Sequence, residues 1–538
     1  MYDKEREEEV AVTAIEKADD KPERAEETIE EVDVRPEPQE GVTVTLVKEV
    51  GDETIEEEIV VTSLEEIGDV HDQVEFIYEE PNVAKRVETR TDFRKYLTNG
   101  TISAAVMVFA AILAVVVANT PAYEIVEQIL GTNIGFAVGD MVFGMSIESF
   151  VNDFLMAVFF LLVGVELKYE MTVGELRRPR QAALPMLAAV GGVAAPALIF
   201  LLFNFGKSTA SGWAIPIATD IAFALGVMSL LGDSVEPETK VFFQTLAIAD
   251  DILAIVVLAL FYGQTPDIVW CALTLGALFA LFLLHHVRVY SLKPYMFVGA
   301  FLWFFMYRSG IHATLAGVLL AFYLPVRSDV RLPVLHQWLD LYAHELEDAY
   351  DDHAHILGQH DFTEGSYNIE RVMHHVTPPL ERVERNISVL VNFVILPLFA
   401  FVNAQVRLVG IDPQTIATSP VTLGAYLGAV VGKPVGIILV TWILVKVGFA
   451  KLPKHVDWIQ VIDVGIMGGL GFTMSILIAG LAFPDPELVL SAKCAILAGS
   501  VTSGTLGLIF MKVVDLVRGK GSDVDYRDRM QRDREQAA

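Results

Sequence analysis

From residue 101 onward, long apolar runs alternate with short polar segments. A run of about twenty apolar residues is long enough for an α-helix to cross a bilayer. Twelve runs are predicted spans: residues 101–119, 150–166, 182–205, 212–232, 240–263, 267–286, 294–307, 309–325, 387–405, 421–447, 458–483 and 488–514. Several are interrupted by glycine or proline, which favours broken helices. The pattern therefore predicts an all-α polytopic membrane protein with about 12 transmembrane helices.

Acidic residues are concentrated before the first predicted span. Residues 1–95 hold 31 Asp or Glu and 12 Lys or Arg, a charge of −19 out of −30 for the whole chain. We expect an acidic cytoplasmic N-terminal tail that is partly disordered, mainly over residues 1–40, whereas residues 42–80 alternate and predict a small hairpin followed by a short helix. The other predicted regions are spans one to eight at 96–325, an insert at 326–386, spans nine to twelve at 387–515 and a charged cytoplasmic C-terminal tail at 516–538.

The cytoplasmic insert at residues 326–386 is rich in histidine. It holds seven of the chain's 12 histidines, namely His336, His344, His353, His355, His360, His374 and His375. Their spacing among acidic residues matches no zinc signature. A solvated helical face is the simplest interpretation, and a response to pH or the capture of a metal ion are the alternatives.

The distribution of Lys and Arg predicts the orientation of the spans, because short cytoplasmic loops carry an excess of both. The basic loops contain Lys168, Arg177, Arg178, Arg180, Arg288, Lys293, Lys446, Lys451 and Lys454, and the opposite loops contain Lys207, Arg308 and Arg407. Both termini are therefore expected to be cytoplasmic. In the outer loop after span one, the stretch GFAVGDMVFGMSI predicts a β-hairpin at 134–147 with Gly139 and Asp140 in its turn.

Four charged residues lie deep in the predicted spans: Asp220, Asp250, Asp251 and Lys433. A charge at the centre of a bilayer costs roughly 2.5–3.5 kcal/mol on insertion scales, so chains seldom keep one without a use. Successive helical residues point about 100° apart, so the two adjacent aspartates are expected to face different partners. A buried lysine requires a carboxylate, and we expect one of the pair to bond Lys433 while the other takes a cation.

Breaks in two predicted spans accompany these charges. Pro216 removes a backbone donor four residues before Asp220, and Gly468, Gly469 and Gly471 interrupt the eleventh span. Each break would direct the ends of two half-helices at the middle of the membrane, where Asp220 and Lys433 have opposite signs and would offset the helix dipoles. Freed carbonyls and the hydroxyls of Thr219 and Thr473 would supply oxygen ligands.

The charges at these positions favour one class of substrate. Three carboxylates and one ammonium leave a net charge of −2, which suits two protons or a monovalent cation. If protons and a small cation compete for one site, each excludes the other, and exchange of the two requires no separate coupling device. The substrates expected from the sequence are therefore H⁺ and a small monovalent cation.

Seven ordered motifs resemble those of the NhaA family of sodium/proton antiporters. They extend from about Thr101 to Met511 apart from the insert, and read NDFLMAVFFLLVGVELKYE, GWAIPIATDIAFALGV, LAIADDILAIVVLALFYG, GIHATLAGVLLAF, ILPLFAFVNAQV, GKPVGI and GGLGFTMSI. The resemblance implies inverted repeats with two crossed discontinuous helices, spans 4 and 11. It also implies a homodimer in a prokaryotic plasma membrane, acceptance of Li⁺, and more protons than sodium ions moved per cycle.

The same resemblance implies roles for individual residues. Asp250 and Asp251 would form the site for Na⁺ and protons, with Asp250 paired to Lys433, and Asp220 with Lys433 would balance the crossing helices. The pH-regulation positions of the family correspond to Glu166, Glu170 and Glu384. Where the family has an arginine between the first two, this chain has Tyr169, which removes a salt-bridge donor from that network.

Four further residues have ordinary structural interpretations. Asp153 stands near the start of a predicted span and is expected to be a helix cap. His312 is expected to be a packed, hydrogen-bonded histidine. Cys271 and Cys494 lie in apolar runs and are expected to be buried thiols rather than a disulfide.

Two other classes of protein also fit part of the pattern. An intramembrane aspartyl protease needs two carboxylates that share a proton across two helices, which Asp220 and Asp251 would have to supply. A sensor that has kept the fold and lost transport would fit the long tail and the insert. All four deep charges are present, so we expect a transporter rather than an enzyme, with no cofactor and no nucleic acid partner.

Overall fold

A computed structural model describes residues 28–37, 41–50, 53–61 and 100–518, apart from residues 139–140, 178, 233–234, 264, 329, 352, 410–412 and 454. The chain divides into two compact units, Met1–Leu97 and Thr98–Ala538.

The first unit contains an antiparallel sheet of β1 Thr28–Glu37, β2 Gly41–Val50 and β3 Glu53–Val61, in the order β1-β2-β3. Val44 on the central strand pairs with Val34 on one side and Ile59 on the other. The predicted hairpin is confirmed by β2 and β3, and the short helix expected after it lies outside the described residues. Strand β1 forms within residues 1–40, where disorder was expected, because apolar Val32 and Val34 alternate with charged Asp33 and Arg35, a pattern typical of a strand.

Helices dominate the second unit. They are α1 Gly100–Ala118, α2 Tyr123–Leu130, α3 Ile147–Thr172, α4 Pro179–Asn204, α5 Ile221–Ser229, α6 Pro237–Phe261, α7 Ile268–His286, α8 Leu292–Ser309, α9 Leu315–Tyr323, α10 Leu332–Ala349, α11 His360–Val376, α12 Pro379–Asn403, α13 Pro413–Thr418, α14 Pro420–Lys446, α15 Trp458–Gly468, α16 Phe472–Ala482 and α17 Pro486–Arg518. Short 3-10 helices occupy Glu175–Arg177, Ser208–Ile217 and Ile356–Gly358, and π-helical turns interrupt α3 at Phe150–Leu155, α12 at Val391–Ile395 and α14 at Gly428–Gly432.

Every predicted span coincides with one or two of these helices. Among the described residues, eight helices are long and apolar enough to cross a membrane, or up to ten if each of two bent pairs is one span. The two predicted spans outside that count correspond to α8 and α9. Helix α9 has 9 residues, a length of about 14 Å that does not cross a hydrocarbon core alone.

The bent pairs are the two spans in which breaks were predicted. The 3-10 helix Ser208–Ile217 and α5 meet at 42°, and so do α15 and α16. Pro216 carries no backbone N–H, so the chain leaves the helix just after it and runs extended until Asp220 begins α5. The two breaks lie together, since the backbone N–H of Asp220 donates to the carbonyl of Leu470 at 2.6 Å.

Strands β4 Asn133–Val138 and β5 Met141–Ser146 form the predicted outer hairpin. Asn133 pairs with Ser146 and Val138 with Met141, so two residues connect the strands. These are Gly139 and Asp140, which lie outside the described residues. The helix that follows begins at Ile147, where Ser146 accepts a hydrogen bond from the N–H of Ser149.

Helices α10 and α11 of the insert pack against each other and bury none of their own residues. His374 near the end of α11 reaches α12, where its Nε2 lies 2.6 Å from Nη1 of Arg382. The insert is therefore a pair of exposed amphipathic helices, as its polar sequence suggested, with a direct contact to a spanning helix.

Candidate ion-binding site

A buried ion pair joins α6 to α14. Oδ2 of Asp250 lies 2.6 Å from Nζ of Lys433, and the two side chains are 1% and 0% exposed. Lys433 also donates to the carbonyl of Ile217, at the end of the 3-10 helix. The sequence left open which aspartate bonds the lysine, and the structure pairs it with Asp250, as the family resemblance implied.

The packing of α14 against α4 fixes the position of Lys433. A Cβ on Gly436 would lie 2.1 Å from the carbonyl oxygen of Gly191. The two helix backbones can therefore come into contact here only because residue 436 is a glycine. The π-helical turn Gly428–Gly432 ends immediately before Lys433. Such turns occur frequently at functional sites, because the extra residue rotates the side chains that follow.

Thr219 connects the ion pair to the second broken span. Its Oγ1 lies 2.6 Å from Oδ2 of Asp250 and 3.2 Å from the carbonyl oxygen of Gly468, at the end of α15. Thr219 is fully buried, as expected for a hydroxyl placed where the helix is broken. Oδ2 of Asp250 is therefore held by two groups, the ammonium of Lys433 and the hydroxyl of Thr219.

Asp251 lies next to this pair and has a different environment. It is 3% exposed. Oδ1 of Asp251 and Oδ1 of Asp250 are both buried without a hydrogen-bond partner in the described part of the chain. Two carboxylate oxygens thus remain available for a proton or a small cation. Within the same residues, no three His, Cys, Asp or Glu side chains are grouped to hold a metal ion, and this includes the described histidines of the insert.

Asp220 accepts hydrogen bonds at the N-terminal ends of two half-helices. Its Oδ1 accepts a hydrogen bond of 3.0 Å from the N–H of Phe223 in α5. Its Oδ2 accepts from the N–H and the hydroxyl of Thr473 in α16, at 3.2 and 2.7 Å. Lys433, by contrast, bonds the C-terminal end of a half-helix at Ile217. Negative charge at helix N-termini and positive charge at a C-terminus is the arrangement that offsets helix dipoles.

The three pH-regulation candidates lie on two helices that pack together. Glu166 and Glu170 are on α3 and Glu384 is on α12, and all three are partly buried. Tyr169 is 47% exposed. Lys168 donates to the carbonyls of Phe322 and Leu324, both at 2.6 Å, and so binds the C-terminal end of α9.

Of the ordinary structural interpretations, one was wrong. Asp153 is no cap, because α3 begins earlier, at Ile147, and Asp153 lies inside its π-helical turn. His312 is hydrogen-bonded as expected, with Nε2 2.7 Å from the carbonyl oxygen of Tyr262. Cys271 and Cys494 are free and partly buried.

Sequence reasoning missed one buried carboxylate, Asp463. It lies on α15, is 0% exposed, and has no hydrogen-bond partner for either oxygen among the described residues. The available signal was an acidic residue inside the predicted span 458–483. Its position five residues from the start of that span suggested the membrane surface instead.

Charged side chains buried at the breaks of two membrane-spanning segments are features of an ion transporter. A family model described as Na⁺/H⁺ antiporter 1 matches residues 94–511. The chain belongs to this family. Proteins named Na⁺/H⁺ antiporter NhaA are similar to it: that of Oleidesulfovibrio alaskensis is 39% identical over 80% of this chain and 94% of its own length, and that of Helicobacter pylori 40% over 75% and 91%. That of Wolinella succinogenes is 39% identical over 78% and 92%.

Proposed function

We propose that this protein is an electrogenic antiporter that exchanges internal Na⁺ or Li⁺ for external protons, for pH and sodium homeostasis. The observation that carries the proposal is the buried group of Asp250, Asp251 and Lys433, in which each aspartate keeps one oxygen without a partner in the described residues. Family membership and the names of the relatives support sodium and protons as the substrates.

In the proposed cycle, Na⁺ and protons compete for these carboxylates. An arriving cation takes the free oxygens of Asp250 and Asp251 and weakens the attraction between Asp250 and Lys433. At least two protons then leave the site for each Na⁺ bound, one from Asp251 and, if the lysine is a carrier, one from Lys433, so the exchange moves net charge. Return of protons expels the cation and restores the ion pair, so either substrate is transported only in place of the other.

We further propose that the twelve spans are completed by α8 and α9, and that the two broken spans cross. Contact between the breaks at Asp220 and Leu470 supports the crossing. With the basic loops on the cytoplasmic side, both termini are cytoplasmic and the protein spans a prokaryotic plasma membrane. The acidic tail, the insert and the C-terminal tail then share the cytoplasmic side.

Two further assignments concern the pH response and the dimer interface of the protein. Glu166, Glu170 and Glu384, on two packed helices, are assigned to the pH response. The outer hairpin β4–β5 is assigned to a homodimer interface. For the protease alternative, Asp220 and Asp251 would have to share a proton across two helices. Asp220 instead accepts three hydrogen bonds, from Phe223 and Thr473, and no observation in the described chain favours that chemistry.

Proteoliposomes with an internal pH dye test the proposed exchange. Na⁺ or Li⁺ added outside cation-free liposomes should drive protons out, and K⁺ or choline should serve as comparison. The Asp251→Asn variant should give no response, whereas the matched Asp340→Asn variant, changed on the exposed surface of α10, should match the wild type. A wild-type protein without any dye response at acidic, neutral and alkaline pH would overturn the proposal.

A further inference from the structure

Asp463 is a buried carboxyl that the proposed cycle does not use. It lies in the middle of α15, and both of its oxygens lack a hydrogen-bond partner among the described residues. Its side chain faces α17, where a Cβ on Gly507 would lie 3.2 Å from Oδ1. Thr219, which bonds Asp250, contacts the C-terminal end of α15 through the carbonyl of Gly468, five residues further on. Asp463 therefore lies outside the site formed by Asp250 and Asp251.

The surroundings of Asp463 determine which ligand it suits. The same Cβ on Gly507 would lie 2.5 Å from Cε of Met467, so the carboxyl and a methionine share the space left by this glycine. Val464, Met467 and Met511 belong to one buried apolar cluster. Hard cations require several oxygen ligands, and Asp463 belongs to no group of three His, Cys, Asp or Glu side chains that could hold a metal ion in the described chain. A proton requires only one carboxyl oxygen.

The helices packed against α15 carry charged side chains, each of which either is bonded to another residue or lies away from Asp463. Lys433 on α14 is bonded to Asp250 on α6, next to Asp251. The remaining charges of these helices are Lys446 on α14, Glu238 and Lys240 on α6, and Glu487, Lys493, Lys512, Asp515 and Arg518 on α17. All lie toward the ends of their helices except Lys493, which lies about four helical turns before Gly507 on α17. No ion pair joins any of them to Asp463 among the described residues. An ionised Asp463 would thus be a buried charge without compensation, which is strongly unfavourable.

We propose that Asp463 is a second proton-binding residue of this transporter, which holds its proton while α15 packs against α17 and releases it to water when that interface opens. The release converts the carboxylic acid into a carboxylate and one proton. Because α15 ends at the carbonyl that Thr219 contacts, proton loss at Asp463 moves the helix that borders the ion pair. This coupling rests on the proposed function, whereas proton binding at Asp463 is independent of it.

Infrared difference spectroscopy of the full-length protein without Na⁺ tests proton binding directly. Spectra taken at neutral and alkaline pH should show the carbonyl stretch of a buried carboxylic acid that disappears as pH rises. The Asp463→Asn variant should lack this band, while Asp340→Asn should retain it, and Asp251→Asn identifies any band from the ion site. A band that persists unchanged in Asp463→Asn would overturn the proposal, whether or not the protein exchanges sodium.

A second pair of variants keeps the carboxyl in place. Gly507→Ala sets a methyl group 3.2 Å from Oδ1 of Asp463 and should shift the frequency of the same band. A Cβ on Gly499, on the same helix, would lie no closer than 3.8 Å to any neighbouring side-chain atom, so Gly499→Ala should leave the band at the same frequency. If neither alanine shifts the band, the carboxylic acid detected is not Asp463, and the proposal fails.

Discussion

Lys433 and Asp250 form a charged contact that is fully enclosed by protein. Removing one partner of such a pair leaves the other as an uncompensated buried charge, which typically costs about 3–5 kcal/mol. The pair is therefore stable only as a unit, and an arriving cation or proton must rearrange both residues. At the scale of single residues, this makes Lys433 either a carrier of a transported proton or a structural counter-ion.

Replacing Lys433 with glutamine distinguishes these two roles. If the lysine carries a proton, Lys433→Gln should exchange electroneutrally, and its transport should no longer respond to a potential imposed with potassium and valinomycin. The measurement is exchange in proteoliposomes with and without that potential. Lys446→Gln is the control, because Lys446 is exposed at the end of the same helix, over the ring of Trp442. An unstable Lys433→Gln protein that still follows the potential would assign the lysine a structural role only.

At the scale of elements, the two broken spans are held together through glycine. A Cβ on Gly471 would lie 2.6 Å from the carbonyl oxygen of Ala218, a backbone atom of the other break. Backbone atoms do not move aside as a flexible side chain does. The contact of Asp220 with Leu470 and Thr473 depends on the same close approach.

Gly471→Ala should therefore destabilise the protein by about 1–3 kcal/mol, the usual cost of overpacking, and reduce exchange because the breaks separate. Gly480→Ala is the matched control on α16, since nothing lies within 4 Å of its added Cβ. It should be neutral or stabilising by up to about 1 kcal/mol, because alanine favours helix over glycine. Thermal unfolding in detergent compares the two. Equal melting temperatures for both variants would contradict the packing argument.

The outer hairpin is the element assigned to dimerisation. Strands β4 and β5 form a two-stranded sheet, and each strand leaves one edge unpaired within the described residues, an arrangement that favours pairing with a second copy. Replacing residues 134–147 with a short Gly-Ser linker should yield monomers, measured by light scattering in detergent. Replacing residues 330–375 of the insert in the same way should leave the dimer intact. A dimer that survives loss of the hairpin would place the contact elsewhere.

The elements were largely predictable, because membrane helices are set by long apolar runs and their breaks by proline and glycine. The four charges of the site stood out for the same reason, as exceptions in apolar sequence. The choice of Asp250 over Asp251 as partner of Lys433 depends on helix rotation, which the residues alone left open. Asp463 and the start of α3 were missed because burial and helix ends near the membrane surface depend on tertiary packing.

At the scale of the whole membrane unit, the insert is connected to a spanning helix by His374. Nε2 of His374 accepts a hydrogen bond from Arg382, two residues before the pH-regulation candidate Glu384 on α12. The insert therefore contacts the helix that is assigned to the pH response. Arg382 is buried and also donates to the carbonyl of Tyr290, so its position does not depend on the histidine alone.

Replacing residues 330–375 with a short Gly-Ser linker should therefore shift the midpoint of exchange against pH. His374→Ala removes the acceptor that bonds Arg382 and should shift the midpoint in the same direction. His344→Ala is the matched control, because His344 is exposed and lies 3.7 Å from exposed Glu347. An activation midpoint unchanged in the first two proteins would reduce the insert to a solvated appendage.

The central claim is that Na⁺ and protons compete for Asp250 and Asp251. Isothermal titration of the purified protein with Na⁺ at several pH values measures this competition without any transport step. The apparent Kd should rise as the pH falls, by up to about tenfold per pH unit for each proton displaced, binding should release protons into a weakly buffered solution, and Asp251→Asn should abolish both effects. Sodium binding whose Kd is independent of pH, or that persists in Asp251→Asn, would contradict the account.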